Sequence, residues 1–337
     1  MLLSSQCEVD GFAATWSRQC TSPLPQPVFS TGMPPFPDLP AVPPTRLEKD
    51  FAAHSRSRRW YRLPGLLYLA TAATTFAAGV AGWQPVVMGI DDQLAEQCTT
   101  HWLRGLIYMV AVMAVLTAHE AGHFFAAQIH GIPATLPFFI PMPVLLTGTL
   151  GAVIGMDGLR ASRRQLFDIA LAGPIAGLVV ALPVMAVGMM ISTASGEVLF
   201  AIPPLARWML QFLRPDLAHA TSLDPNALFM AGWVGLLVTG LNMFPISQLD
   251  GGHVSYAVFG ERARWIARGI LIASIAAIVV LGRYNWTVMV VVVTLMGVDH
   301  PPIREDGQPL GWFRTTLGLL SLWIPIVTFM PEPLQMR

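Results

Sequence analysis

The 337-residue sequence is 54% hydrophobic and only 12% charged, whereas a soluble globular domain carries roughly a quarter charged residues. So little charge cannot cover a water-facing surface, which excludes an ordinary soluble domain. The formal net charge is zero, which gives no support to a nucleic-acid partner, since such binders usually carry a basic face. The three cysteines, Cys7, Cys20 and Cys98, form neither a disulfide framework nor a paired metal-ligand spacing.

Residues 1–45 are rich in Pro and Ser and read as a disordered, polyproline-like tail. Glu8 and Asp10 stand where a cleaved signal peptide would be basic and then apolar. The first membrane helix is therefore expected to stay in the mature protein. Residues 46–62 carry Arg46, Lys49, Arg56, Arg58, Arg59 and Arg62. Hydrophobic segments follow at about 64–83, 105–129, 168–191, 228–246, 265–282, 285–298 and 310–331, most of them near the roughly 20 residues that cross a hydrocarbon core. The sixth is short, so 265–298 reads either as two spans or as a shallow helical hairpin turning at Arg283, Tyr284 and Asn285. The fold class expected is an all-α polytopic membrane protein with about six to seven transmembrane helices. With a cytoplasmic N-terminus, 15 of the 20 basic residues fall on the inside and only Arg104, Arg207, Arg214, Arg283 and Arg337 on the outside, as the positive-inside rule requires. Trp60, Trp83, Trp102, Trp265, Trp286 and Trp312 fall near predicted helix ends, in keeping with an interfacial belt.

Residues 133–157 fit no spanning helix. They are apolar but broken by Pro133, Pro137, Pro141 and Pro143, and the second half is Gly-rich and β-leaning. Non-helical backbone at membrane depth must be covered by protein or line a wet cavity. A membrane-dipping hairpin beside a site is the expectation. The following stretch, with Arg160, Ser162, Arg163, Arg164, Gln165 and Asp168, reads as an ordinary solvated face.

The chemistry is concentrated in the second and fourth segments. His119-Glu120-Ala121-Gly122-His123 places two imidazoles four residues apart on one helical face, able to reach one Zn²⁺. Glu120 lies beside them as a candidate base that takes a proton from activated water. Ionisable groups inside an apolar helix are costly and mark functional sites by default. A hydrolytic zinc site needs a third protein ligand. The best candidate is Asp250, past the fourth segment in Asn242-Met243-Phe244-Pro245-Ile246-Ser247-Gln248-Leu249-Asp250-Gly251-Gly252-His253. The alternative is a turn residue at a helix end. The order of membrane crossings brings His119, His123 and Asp250 to the same side. Asn242 can hold a substrate carbonyl or a developing oxyanion, or bond between helices as a structural polar group. His253 reads as a neighbour of the site or as an exposed loop histidine. Asp299-His300-Pro301-Pro302 reads as a second polar site or as a helix-terminating loop.

These paired motifs resemble the site-2 protease family of intramembrane zinc metalloproteases. His119, Glu120 and His123 match its zinc helix, and Asn242, Pro245, Leu249, Asp250 and Gly251 match its second motif. Gly148-Thr149-Leu150-Gly151-Ala152-Val153-Ile154 is similar to its membrane-associated β segment, and Ala172-Gly173-Pro174-Ile175-Ala176-Gly177 to the small-residue stretch of its middle helix. The resemblance covers roughly 104–260, without a PDZ insertion, and so looks like bacterial and plastid members of that layout. It divides the chain into a tail (1–45), a basic segment with the first span (46–103), a catalytic core (104–260) and C-terminal spans (261–337). It implies hydrolysis of peptide bonds in or next to transmembrane segments of membrane proteins. One Zn²⁺ per chain would be held by His119, His123 and Asp250, with Glu120 and Asn242 catalytic. Gly148, Thr149, Gly151, Asn242 and Pro245 would meet a substrate, itself a membrane protein embedded in the same lipid bilayer. A bacterial plasma membrane is expected over an organellar one. A membrane metal transporter, or an inactive homologue that binds membrane proteins, are the rival readings.

Overall fold

The computed structural model describes residues 59–83, 92–156, 161–195, 200–218, 222–246, 248–282, 287–298, 300 and 308–328. The Pro-rich tail, most of the basic segment and the turn at 283–285 lie outside these residues. The helices are α1 (Arg59–Val80), α2 (Asp92–Thr100), α3 (Trp102–Ile129), α4 (Arg163–Met190), α5 (Pro204–Leu213), α6 (Ala227–Asn242), α7 (Asp250–Phe259), α8 (Ala263–Leu281), α9 (Thr287–Met296), α10 (Trp312–Ser321) and α11 (Ile324–Thr328). The strands are β1 (Phe138–Pro141), β2 (Thr149–Val153), β3 (Ala194–Ser195) and β4 (Ser222–Leu223).

The described chain is mostly helical. Four helical stretches are long and apolar enough to cross a membrane: Arg62–Val80, Trp102–Ile129, Arg163–Met190 and Asp250–Leu281. The last is interrupted at Gly260, where φ is +59°. At 16 residues α6 is shorter, about 24 Å at the helical rise, and Pro245 prevents its extension past Asn242.

In 265–298, where two spans or a shallow hairpin are expected, α8 has 19 residues and α9 only 10, about 28 and 15 Å, and the turn between them lies outside the described residues. One expectation changes. The segment 310–331 is not one helix: α10 and α11 are separated by turns at Leu322 and Trp323, with Pro325 in the second piece. It still runs the length of the bundle, since α10 lies against α4 and α7 while α11 lies against α5 and α6.

Helices α3, α4 and α6 pack on one another and form the centre. Tyr108, Val112 and Leu116 of α3 meet Met185 and Met189 of α4 and Phe229, Trp233 and Leu236 of α6. Lipid tails are as apolar as these side chains, so close backbone approach drives the packing. Small residues supply it: a Cβ on Gly188 or Gly232 would strike Phe229 or Met185. The helix starts are specified locally. Ser162 and Gln165 form a reciprocal capping box on α4, and Asn226 caps α6 by accepting from the Phe229 amide at 2.9 Å.

The β-leaning stretch is a hairpin. β1 and β2 pair antiparallel, with Phe138 opposite Val153 and Ile140 opposite Gly151. Pro141 pairs with Thr149, which leaves Leu150 as the extra residue of a bulge. The hairpin rests on α1 and α3. Phe139 meets Tyr68 edge to face at 4.9 Å, and the buried Tyr108 hydroxyl donates to the Thr147 carbonyl at 3.1 Å. Gly148, at φ +75°, presses so closely on α1 that a Cβ would lie 2.6 Å from the Thr74 carbonyl oxygen.

Candidate metal centre

His119, Glu120 and His123 lie in the lower half of α3 and are buried. The imidazoles need space at a helix contact, and α4 provides it with glycines. A Cβ on Gly173 would overlap the His123 ring, and one on Gly177 would lie 3.1 Å from His119 Nδ1. Two glycines four apart on α4 thus face two histidines four apart on α3. Reciprocally, a Cβ on Gly122 would strike the Ala172 backbone.

Asp250 arrives from the other side. The sequence reading left it past the fourth segment, in a possible turn; it is instead the first residue of α7. A carboxylate is favoured there by the exposed amides of the first turn. The chain ends α6 at Asn242 and turns through Met243–Ile246, with the Phe244 amide bonded to Leu241 O and the Ile246 amide to Phe244 O. A side chain on Gly251 would run into the Met243 carbonyl, so only glycine lets the start of α7 nest against the end of α6. That nesting puts Asp250 beside the histidines.

His119 Nε2 and His123 Nε2 are 3.2 Å apart, and Asp250 Oδ2 lies 3.2 Å from the first and 3.3 Å from the second. His123 Nδ1 sits 2.8 Å from the Ile169 carbonyl, which can only accept. Nδ1 therefore carries the proton, and in the neutral ring Nε2 is a bare acceptor. The contact of Asp250 Oδ2 with this nitrogen is accordingly no hydrogen bond, and Oδ2 has no hydrogen-bond partner among the described residues. Three acceptors crowded at this spacing suit a cation. A tetrahedral zinc shell with bonds of about 2.0–2.1 Å has edges of about 3.3–3.4 Å, close to the three separations found. Among the described residues this is the one group of three or more His, Cys, Asp or Glu able to hold a metal ion. The donor set therefore fits zinc.

The other predicted residues divide. Asn242 reaches the centre: its Nδ2 is 3.2 Å from His119 Nε2. Glu120 Oε2 is buried with no protein partner among the described residues. Gly148 and Thr149 work inside the hairpin, the former against α1 and the latter through its Oγ1, which donates to Ile140 O at 3.0 Å and accepts from the Gly151 amide at 2.9 Å. Gly151 borders Val238, one turn before Asn242 on α6. Pro245 lies in the turn that joins α6 to α7. His253 is not in a loop: it sits on α7, with Nδ1 2.6 Å from Nε2 of His300, whose ring stacks on Tyr256 at 4.3 Å.

Sequence reading missed a set of ties at the start of α4. It took Arg163, Arg164 and Asp168 for a solvated face. Arg163 instead donates to the carbonyls of Ala257 and Val258 at the end of α7, and Arg164 to Pro309 O. Asp168 holds Arg314 of α10 through two bonds of 2.8 and 2.9 Å, with His130 Nε2 3.2 Å away. The partners of the two arginines of α4 and the Arg314 partner of Asp168 are 94 to 146 residues distant, and no local pattern announces them.

The family model described as Peptidase family M50 matches residues 107–282. The chain is similar to the probable zinc metalloprotease EGY1, chloroplastic, of Oryza sativa subsp. japonica, at 29% identity over 65% of this chain and 39% of the relative. It is similar to the Arabidopsis thaliana EGY1 protein of the same description at 30% identity, over 65% of this chain and 42% of the relative. It also resembles the probable zinc metalloprotease EGY2, chloroplastic, of Arabidopsis thaliana, at 26% identity over 80% of this chain and 48% of the relative. The chain thus spans less than half the length of these relatives. No solved structure matches it.

Proposed function

Because the chain belongs to peptidase family M50, the site-2 protease family, we propose that it is a membrane-embedded zinc metalloendopeptidase that cuts membrane proteins in or next to a transmembrane segment. The observation that carries this reading is the convergence of His119 and His123 on α3 with Asp250 on α7, at the edge lengths of a zinc tetrahedron, with Glu120 buried beside them.

His119, His123 and Asp250 hold the metal, one ion per chain. When bound, zinc supplies Lewis acidity toward water and toward a scissile carbonyl. Glu120 takes the proton from the attacking water and returns it to the leaving amide nitrogen. The Asn242 amide, at the same corner as His119, donates to the substrate carbonyl oxygen as negative charge develops there. His123 is kept in the tautomer that leaves Nε2 free by the Ile169 carbonyl.

A transmembrane helix hides its carbonyls in its own hydrogen bonds, so a substrate must unwind before attack. The outer edge of β2 offers backbone groups to an extended chain, and Gly151 on that strand borders α6 one turn from Asn242. The relatives' names place them in chloroplasts, which weighs against the bacterial plasma membrane expected from sequence. We accordingly assign the chain to an organellar membrane. A metal-transit role would require further polar groups along a path, and the single three-residue cluster among the described residues favours hydrolysis.

The test is Glu120→Gln in the full chain. Membrane-fraction proteomics should show uncut substrates accumulating in the variant alone, while elemental analysis still finds one zinc per chain. Wild-type cleavage by the variant would remove Glu120 from the reaction, and loss of zinc would make it structural.

A further inference from the structure

We propose that α5 is an interfacial helix, lying in the plane of the membrane surface with Trp208 and Phe212 inserted among lipid acyl chains. Its surface divides into three sectors. Ala206 and Leu210 are fully buried, flanked by the partly buried Leu205 and Met209, and this sector packs on the core. Trp208 and Phe212, four residues apart, are 59% and 86% exposed. Arg207 and Gln211, also four apart, are exposed. At about 100° per residue the apolar pair and the polar pair lie about 100° from each other around the axis. A helix with one flank apolar and one flank polar is built for a boundary between oil and water.

Its depth follows from the span it is attached to. α4 has 28 residues, about 42 Å, which matches the roughly 40–45 Å of a bilayer with its headgroup regions. The last turn of α4 and the end of α5 are pinned together. Arg214, which follows α5, donates through Nη1 to Met190 O at 2.9 Å and Ser192 O at 3.2 Å. α5 is thereby fixed at headgroup level, at the end of the bundle away from the metal centre, which lies about 20 Å back along α4 from Met190. The end of α4 to which it is tied is likewise apolar and exposed: Val187, Met190 and, one residue past the helix, Ile191 are 50%, 60% and 64% exposed. Arg207 suits anionic headgroups, and tryptophan is favoured at this depth.

The experiment uses the full chain with Cys7, Cys20 and Cys98 replaced by serine, reconstituted in phosphatidylcholine–phosphatidylglycerol vesicles. Spin labels are placed singly at Trp208→Cys, Phe212→Cys, Arg207→Cys and Gln211→Cys, all exposed positions. Labels at 208 and 212 should collide more often with oxygen than with a water-soluble nickel chelate, and labels at 207 and 211 the reverse. Preference for the nickel chelate at 208 and 212 would put that flank in water and overturn the proposal. Low collision with both reagents would mean that protein, a second copy or another segment of this chain, covers the flank, and would overturn it equally. Because the substitutions lie far from the metal centre, retained zinc in every variant keeps this outcome separate from the proteolytic reading.

Discussion

At the scale of single residues, the centre depends as much on what is missing from α4 as on what is present on α3. Gly173 and Gly177 form a floor under His123 and His119. Gly173→Ala would drive the His123 ring from its place, so zinc measured by elemental analysis should fall to near zero. Gly177→Ala meets His119 Nδ1 at 3.1 Å, which a shift of a few tenths of an ångström relieves. It should keep zinc with weakened affinity. Wild-type zinc content in Gly173→Ala would show that the floor is not needed. The two histidines and Glu120 stood out in the sequence because charge and imidazole are expensive in an apolar helix, and Asp250 only because such a pair calls for a third ligand on the same side of the membrane. The tautomer of His123 was not, because its partner is the backbone carbonyl of Ile169, which every residue has.

At the scale of elements, α7 is the part that must be aimed, since Asp250 opens it. Its two ends are held differently. Gly251 lets its start nest on the end of α6, and Arg163 holds its end through the carbonyls of Ala257 and Val258. Arg163→Ala leaves those last carbonyls without their donor and should cost about 2 kcal/mol of stability, the scale of a hydrogen bond to a charged group. Zinc affinity should fall with it, by competition against a chelating dye, and Arg163→Lys should recover part of the loss. Unchanged affinity in Arg163→Ala would free Asp250's position from this clamp. Helix positions were readable from apolar run length, and the hairpin from its prolines and glycines. Helix α5 was not singled out, because ten residues with a buried stripe look like loop to a search for spans. The break between α10 and α11 was missed because hydropathy runs on through Leu322 and Trp323.

At the scale of the molecule, the centre joins α3 and α7 where, among the described residues, no other ion pair or disulfide ties them, so a metal bound there would couple to the fold. Removing zinc with a chelator should lower the thermal midpoint, and restoring it should recover the loss, which at a hundred times Kd corresponds to about 2.7 kcal/mol. The same treatment of His119→Ala should do nothing; an equal shift there would place the stabilising ion elsewhere. The sequence by itself determined that the chain is apolar enough to cross a membrane, that α3 carries a histidine pair with a neighbouring glutamate, and which aspartate is the third candidate for a metal centre. The first two rest on composition, run length and spacings of a few residues, which the covalent chain specifies directly, and the third on the order of crossings and on a motif shared with a known family. Only the tertiary structure decided that Asp250 opens a helix and meets both histidines, that glycines of α4 make room for the rings, and that Arg163 and Asp168, read as solvated, hold α7 and α10. The reason is distance along the chain: these contacts join residues 50 to 150 positions apart, and they exist only once close-packed helices bring them face to face.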